Sequence, residues 1–241
     1  SEHFSIWFGL NTISNNKVDS IYLTASGGPL VNIPLKNFKN IKKSQALKHP
    51  NWKMGKKISI DSCTMMNKVF EVIEAKNIFK IPYDKIKILV HQKSYVHALI
   101  KFNNGLIKII VHDTNMKIPI FNTLYLDSNK RINSSNINIK SLNNLDFKKV
   151  DPLKFPLISL IKKLPNKSSL FETVLVSAND ELVDMYLKDK IKYTDISKKL
   201  LSFLNKKEFL KLKHIKPKNI DEILKLNQYV RLKINSLSVY K

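Results

Sequence analysis

With 241 residues, 43 % of them hydrophobic and 25 % charged, the chain has the make-up of an ordinary globular protein able to bury one or two cores. No apolar run approaches the roughly 20 residues that cross a bilayer, which argues against a membrane partner. The lone cysteine, Cys63, excludes an intrachain disulfide and a thiolate metal cage.

The formal charge of +23 invites a nucleic-acid reading. Against it, Arg131 and Arg231 are the only arginines, and the lysines spread along the whole chain instead of forming a stripe. Arg is the residue suited to bidentate phosphate and base contacts, so drift towards Lys, Asn and Ile, as in Asn129-Lys130-Arg131-Ile132-Asn133, is the preferred explanation. Low cysteine use fits a reducing, cytoplasmic compartment. The chain opens on Ser1 and not Met, with no lead-in before Ser1-Glu2-His3, and is expected to be a piece of a longer protein.

Three regions follow one another: 1–126, 127–151 and 152–241. In the first, residues 20–24 read as a strand that runs into Thr24-Ala25-Ser26-Gly27-Gly28-Pro29, a sharp turn exposing backbone amides. His49-Pro50-Asn51-Trp52-Lys53-Met54-Gly55-Lys56-Lys57 sets a Trp and a Met in a polar, basic loop, as a lid or as an incidental surface feature. Residues 58–60 read as a short strand entering a helix over 62–79, with Asp61 and Ser62 as N-cap types. Strands are expected at 86–90, 98–102 and 106–111, the last two joined by Asn103-Asn104-Gly105, a hairpin turn signal.

From 127 to 151 the chain is rich in Asn, Ser and Lys and reads as a linker. Beyond it, 157–164, 169–187, 194–205 and 220–237 have helical spacing, and Ile223, Leu226, Val230 and Ile234 form one apolar stripe. The fold class is therefore α+β: a catalytic α/β layer with a mixed sheet, a linker and a small C-terminal helical bundle.

Chemistry concentrates on the helix after Asp61. Asn67, Lys68 and Glu71 share one face, with Met66, Val69, Phe70 and Ile73 free to pack on the other. Two readings stay open from spacing alone. One is a solvated stripe with a Lys68–Glu71 pair of little worth. The other is a polar wall, with Ser62 for phosphate, Asn67 and Lys68 for substrate oxygens and Glu71 for a hard cation. Cys63 reads as a small buried thiol rather than a nucleophile. No HxH, HExxH, GxGxxG or Walker spacing is present, so neither a histidine-built zinc site nor a nucleotide fingerprint is expected.

Taken together, Ser26-Gly27-Gly28-Pro29, the run from His49 to Ile58, and Asp61-Ser62-Cys63-Thr64-Met65-Met66-Asn67-Lys68 strongly resemble 1-deoxy-D-xylulose 5-phosphate reductoisomerases. The likeness continues more loosely through His91-Gln92-Lys93-Ser94-Tyr95-Val96-His97, Asn115 to Ile120 and Ala178-Asn179-Asp180-Glu181. It implies the substrate and metal half of such an enzyme, with the nucleotide-binding domain lying ahead of this chain. Glu2 and Glu71 would be the carboxylates for Mg²⁺, Mn²⁺ or Co²⁺, following an Asp expected before Ser1 on an opening strand. Glu2, Lys68 and Glu71 would be the catalytic residues. Ser1, Ser26, His49, Ser62, Asn67, Lys68 and His97 would contact a phosphorylated sugar, with Trp52 and Met54 in a lid. Met54, Gly55 and Met116 would lie near the nicotinamide of NADPH.

The implied reaction is a retro-aldol and aldol rearrangement of 1-deoxy-D-xylulose 5-phosphate, then reduction by NADPH to 2-C-methyl-D-erythritol 4-phosphate. A homodimer, with no nucleic-acid partner, is also implied. The sequence departs from the pattern at Gln92-Lys93, Thr114-Asn115 and Leu126-Asp127. Rival readings are a basic nucleic-acid-binding module and a relative that has lost catalysis.

Overall fold

The computed structural model describes residues 1–11, 17–52, 54–126 and 129–239. In chain order the first elements are α1 (Glu2–Asn11), β1 (Val18–Ala25), α2 (Lys43–Leu47), α3 (Lys56–Thr64), α4 (Met66–Phe79), β2 (Ile86–Val90), β3 (Val96–Phe102) and β4 (Ile107–Val111). Then come α5 (Lys117–Leu124), α6 (Ile139–Asn143), β5 (Lys148–Lys149), α7 (Leu170–Leu187), α8 (Tyr193–Leu204), α9 (Lys207–Leu210) and α10 (Ile220–Val239). These gather into two compact units. The first comprises Ser1–Gly28, Pro50–Lys53 and Lys68–Asp151; the second comprises Pro29–His49, Met54–Asn67 and Pro152–Lys241. The units interleave along the chain, a different division from one made at 126 and 151.

The first unit is built on a five-stranded mixed sheet in the order β4-β3-β1-β2-β5. β1 and β2 run parallel, with Ile21 opposite Ile86 and Ala25 opposite Val90, while β3 is antiparallel to both β1 and β4. β-branched runs at 18–25, 86–90 and 96–102 favour this pleated, half-buried environment. Gly105 (φ 86°) supplies the positive φ that the β3–β4 hairpin needs. α1 packs on β3 through its buried Ile6 and through Gly9, where a Cβ would lie 2.5 Å from Ile100 Cδ1. A larger residue at position 9 would push the helix off the sheet.

In the second unit α7 packs against α3, α8 and α10. Ser169 caps α7, its hydroxyl accepting from the Phe171 amide (3.1 Å) while Glu172 reaches back to the Ser169 amide (3.0 Å). Phe171, Val174, Ala178 and Leu182 bury one face of α7, and Val230 and Ile234 bury the end of the α10 stripe. Ile223 and Leu226, nearer its start, are only half-buried.

Four details differ from the sequence expectation. The opening residues lie on a helix, since α1 begins at Glu2. Residues 58–60 are the middle of α3, because Ile60, Cys63 and Thr64, three and four apart, make a buried helical face that overrides the strand-like alternation. Residues 157–164 wind as a 3₁₀ helix over Pro156–Lys163. The stretch read as a linker contributes α6 and the two-residue β5, which pairs with β2 at the sheet edge. Asp127 and Ser128 lie outside the described residues.

Candidate active site

Sequence spacing put Lys68 and Glu71 on one face of a helix; the fold of the first unit adds Glu2 to them. Lys68 Nζ donates to both oxygens of Glu71, at 2.9 and 2.7 Å, and also to Glu2 Oε1. Lys68 and Glu71 are 6 % and 8 % exposed, so this is no solvated stripe. Val69, Val72 and Ala75 turn the apolar side of α4 into the core and carry the polar side with it.

Further contacts fix the two acids. Ser1 Oγ donates to Glu2 Oε2 (2.7 Å), and His3 Nε2 donates to the backbone carbonyl of Glu71 (3.0 Å). Because α1 starts at Glu2 and lies on β3, the packing at Ile6 and Gly9 sets where the Glu2 carboxylate points.

The charges are unequally served. Burial would raise the Glu2 carboxyl, but the Lys68 ammonium, the Ser1 amine and the hydrogen bonds from Lys68 and the Ser1 hydroxyl together hold Glu2 well below the usual carboxylate range. Glu71 is pushed up to about 7, by burial and by the negative charge of Glu2, with Lys68 only partly opposing. Burial works to lower Lys68, yet the two carboxylates raise it. Two buried acids share the Lys68 ammonium, and the Ser1 amine meets only the Glu2 side of the pair.

That arrangement is the test of a divalent ion at this place. Hard cations take carboxylate oxygens, and here two carboxylates converge on the Lys68 ammonium, with the Ser1 amine 3.5 Å from Glu2. The residues fit. Among the described residues no third His, Cys, Asp or Glu joins them.

At the C-terminal end of β1, Gly27 (φ 81°) and Gly28 (φ 66°) make the expected sharp turn, and Ser26 Oγ accepts from the Gly28 amide (3.1 Å). His97 lies on β3, 3 % exposed, and burial followed by the neighbouring His112 lowers it to about 4. Half-buried Trp52 follows Asn51, whose Nδ2 donates to the Gln92 carbonyl (2.6 Å) and Ser94 Oγ (2.8 Å), tethering that part of the loop to the β2–β3 turn. Lys53 lies outside the described residues. Met116 is 43 % exposed at the start of α5.

His49, Met54, Gly55, Ser62 and Asn67 belong to the second unit. Asp61 and Ser62 are not N-caps. They sit in the last turns of α3, which stops at Met65 (φ 61°) before α4 begins at Met66. Ser62 is therefore near a helix C-terminus, and the dipole argument for an anion there does not hold. Asp61 is instead 2 % exposed and accepts from Asn179 Nδ2 (2.9 Å) and Lys57 (2.7 Å). Cys63 is fully buried, its thiol donating to the Ala46 carbonyl (2.9 Å), and burial raises it far above the ordinary thiol range. A Cβ at Gly55 would meet nothing within 4 Å, so neither crowding nor a positive φ demands glycine there.

Sequence reasoning passed over His112, whose ring stacks on His97, and the Asp61–Asn179 contact. Neither leaves a local signal, since each joins residues from separate elements.

The mixed α+β fold is that of solved reductoisomerase structures. A Zymomonas mobilis 1-deoxy-D-xylulose 5-phosphate reductoisomerase in complex with NADPH superposes with a TM-score of 0.84 at 28 % identity, covering all of this chain and 61 % of that one. A DOX-P reductoisomerase with NADPH, fosmidomycin and magnesium gives 0.82 at 30 % identity, over 92 % of this chain and 55 % of that one. Family models for the C-terminal domain of 1-deoxy-D-xylulose 5-phosphate reductoisomerase match residues 1–79 and 112–233. The chain is 59 % identical to the Pelagibacter ubique reductoisomerase over 99 % of its length, and 42 % identical to that of a Sulfurihydrogenibium species over 88 %. It spans 62 % and 56 % of those two relatives. The chain belongs to the 1-deoxy-D-xylulose 5-phosphate reductoisomerase family, as its C-terminal portion.

Proposed function

We propose that the protein of which this chain forms the C-terminal portion converts 1-deoxy-D-xylulose 5-phosphate to 2-C-methyl-D-erythritol 4-phosphate with NADPH, in non-mevalonate isoprenoid precursor synthesis. The observation that carries the proposal is the convergence of Glu2 and Glu71 on one buried cation. It joins the family membership to a site able to hold a divalent ion.

Glu2 and Glu71 would hold Mg²⁺, Mn²⁺ or Co²⁺, which when bound polarises the substrate carbonyl and its neighbouring hydroxyl. Lys68, charged and buried between the two acids, is then released from part of its pairing and donates to substrate oxygens. Ser1 orients Glu2 through its hydroxyl. The phosphate and hydroxyls of the substrate are held by Ser26, His49, Ser62, Asn67 and Lys68, and the grip on the remote phosphate orients the reacting end. His97 lines the site. Trp52 and Met54 close over the substrate and exclude water. Met54, Gly55 and Met116 border the nicotinamide, whose binding domain lies ahead of Ser1. The protein works as a homodimer in the cytoplasm, without a nucleic-acid or membrane partner.

The test is NADPH oxidation by the full-length protein with 1-deoxy-D-xylulose 5-phosphate and Mn²⁺ or Mg²⁺. Turnover that stops on chelation is expected, while the 241-residue segment alone should be inactive. A full-length protein that binds the divalent ion but leaves the substrate unchanged would overturn the assignment.

A further inference from the structure

His112 is not among the residues that the resemblance implicates, yet it makes two separate contacts with His97. The rings lie face to face, with centroids 3.6 Å apart and planes within 7° of parallel. The His112 backbone carbonyl also accepts from His97 Nε2 at 3.1 Å.

The backbone explains how these rings meet. β3 and β4 pair Val96 with Val111 and Ala98 with Ile110, so His97 is left without an opposite number. It is a β-bulge residue, and bulges re-aim side chains out of the ordinary alternation of a strand. His112 follows directly after β4, where its amide donates to the Tyr95 carbonyl (3.3 Å) and its Nδ1 donates to the Asp113 carbonyl (2.7 Å). Two anchors on His112 and one bulge on β3 bring the rings together.

The hydrogen bonds also assign the protons. A carbonyl only accepts, so His97 carries its proton on Nε2 and keeps a lone pair on Nδ1. His112 carries its proton on Nδ1, and its Nε2 is buried with no hydrogen-bond partner. Full face-to-face overlap at this distance suits two neutral rings. Burial lowers both, His97 to about 4, in keeping with that state.

We infer that His112 is a positioning residue that clamps His97 in a single plane and a single tautomer, so that His97 presents an accepting Nδ1 to a substrate hydroxyl. This rests on the proposed place of His97 in the site. The clamp itself does not depend on the reaction.

The experiment compares His112→Ala and His112→Phe in the full-length protein. The phenyl ring keeps a stacking face without imidazole nitrogens, and the backbone carbonyl remains in both variants. In the wild type, ¹⁵N NMR of labelled histidine should show His97 as one fixed tautomer, protonated at Nε2. His112→Ala removes the stacked face that holds the His97 ring against that carbonyl, so the ring should swing away part of the time and the signal become an average of two tautomers. It should also lower kcat about tenfold, with KM for the phosphosugar within about twofold, because orientation and not phosphate affinity is lost. His112→Phe should restore the fixed tautomer and most of kcat. An unchanged single tautomer in His112→Ala would overturn the proposal, as would His112→Phe being as impaired as His112→Ala while equally well folded. If the wild type itself does not turn over, the proposed function fails and the NMR comparison still decides the clamp.

Discussion

Two helices of this chain each pair a lysine with a buried acid one turn away, and the two pairs do different work. On α3, Lys57 and Asp61 are four apart; on α4, Lys68 and Glu71 are three apart. Asp61 is served from three sides' worth of chemistry that stays within the second unit: the Lys57 ammonium, the Asn179 amide and, through Lys57, a link to Asp180, which Arg231 also meets at 3.2 Å. Lys57 is 45 % exposed, so that network reaches solvent. On α4 the lysine is buried, and a second carboxylate, Glu2, competes for it. The first arrangement ties helices together. The second gathers two buried carboxylates on one buried lysine, with the Ser1 amine beside Glu2, a carboxylate setting that suits a divalent cation.

The strongest way to break this comparison is to remove one acid from each pair in the full-length protein. Glu71→Gln should lower metal-dependent turnover by about a hundredfold or more, with the circular dichroism spectrum unchanged. Retained turnover would remove Glu71 from the mechanism. Asp61→Ala should act in the opposite manner, costing about 2–3 kcal/mol of stability because Asn179 Nδ2 loses its buried acceptor. Urea denaturation measures that loss, and calorimetry should find Mn²⁺ affinity within about twofold of the wild type.

A smaller effect sharpens the contrast by pH. Glu71 is raised to about 7 by burial and by Glu2, against Lys68. A bound ion needs the carboxylate, so Mn²⁺ affinity should climb about tenfold between roughly pH 6 and pH 8 as one proton is displaced. The linkage to folding has the other sign. A raised folded value means that the stabilisation from protonated Glu71 is whole below the ordinary carboxyl value of 4.5 and is lost as pH rises through about 7. Metal affinity independent of pH across this window would show that Glu71 is already ionised, and the contrast between the two pairs would lose its pH arm.

Much of the site was legible because it is written in short runs. The Ser26-Gly27-Gly28 turn, the Asn103-Asn104-Gly105 hairpin and the shared face of Lys68 and Glu71 need only neighbouring residues, and local backbone preferences specify them. The misreadings have one source. Ile58-Ser59-Ile60 alternates like a strand and Asp61 has an N-cap side chain, but tertiary burial of Ile60 and Cys63 selects the helix and turns Asp61 inward to Asn179.

By itself, then, the sequence determined the family, the α+β character and the four longer strands. Only the tertiary structure decided which acid shares Lys68, that Asp61 is a buttress, and that His112 covers His97. Each of those facts joins residues between 15 and 118 positions apart. Periodicity along one element reports which face is buried, and not which distant side chain that face will meet.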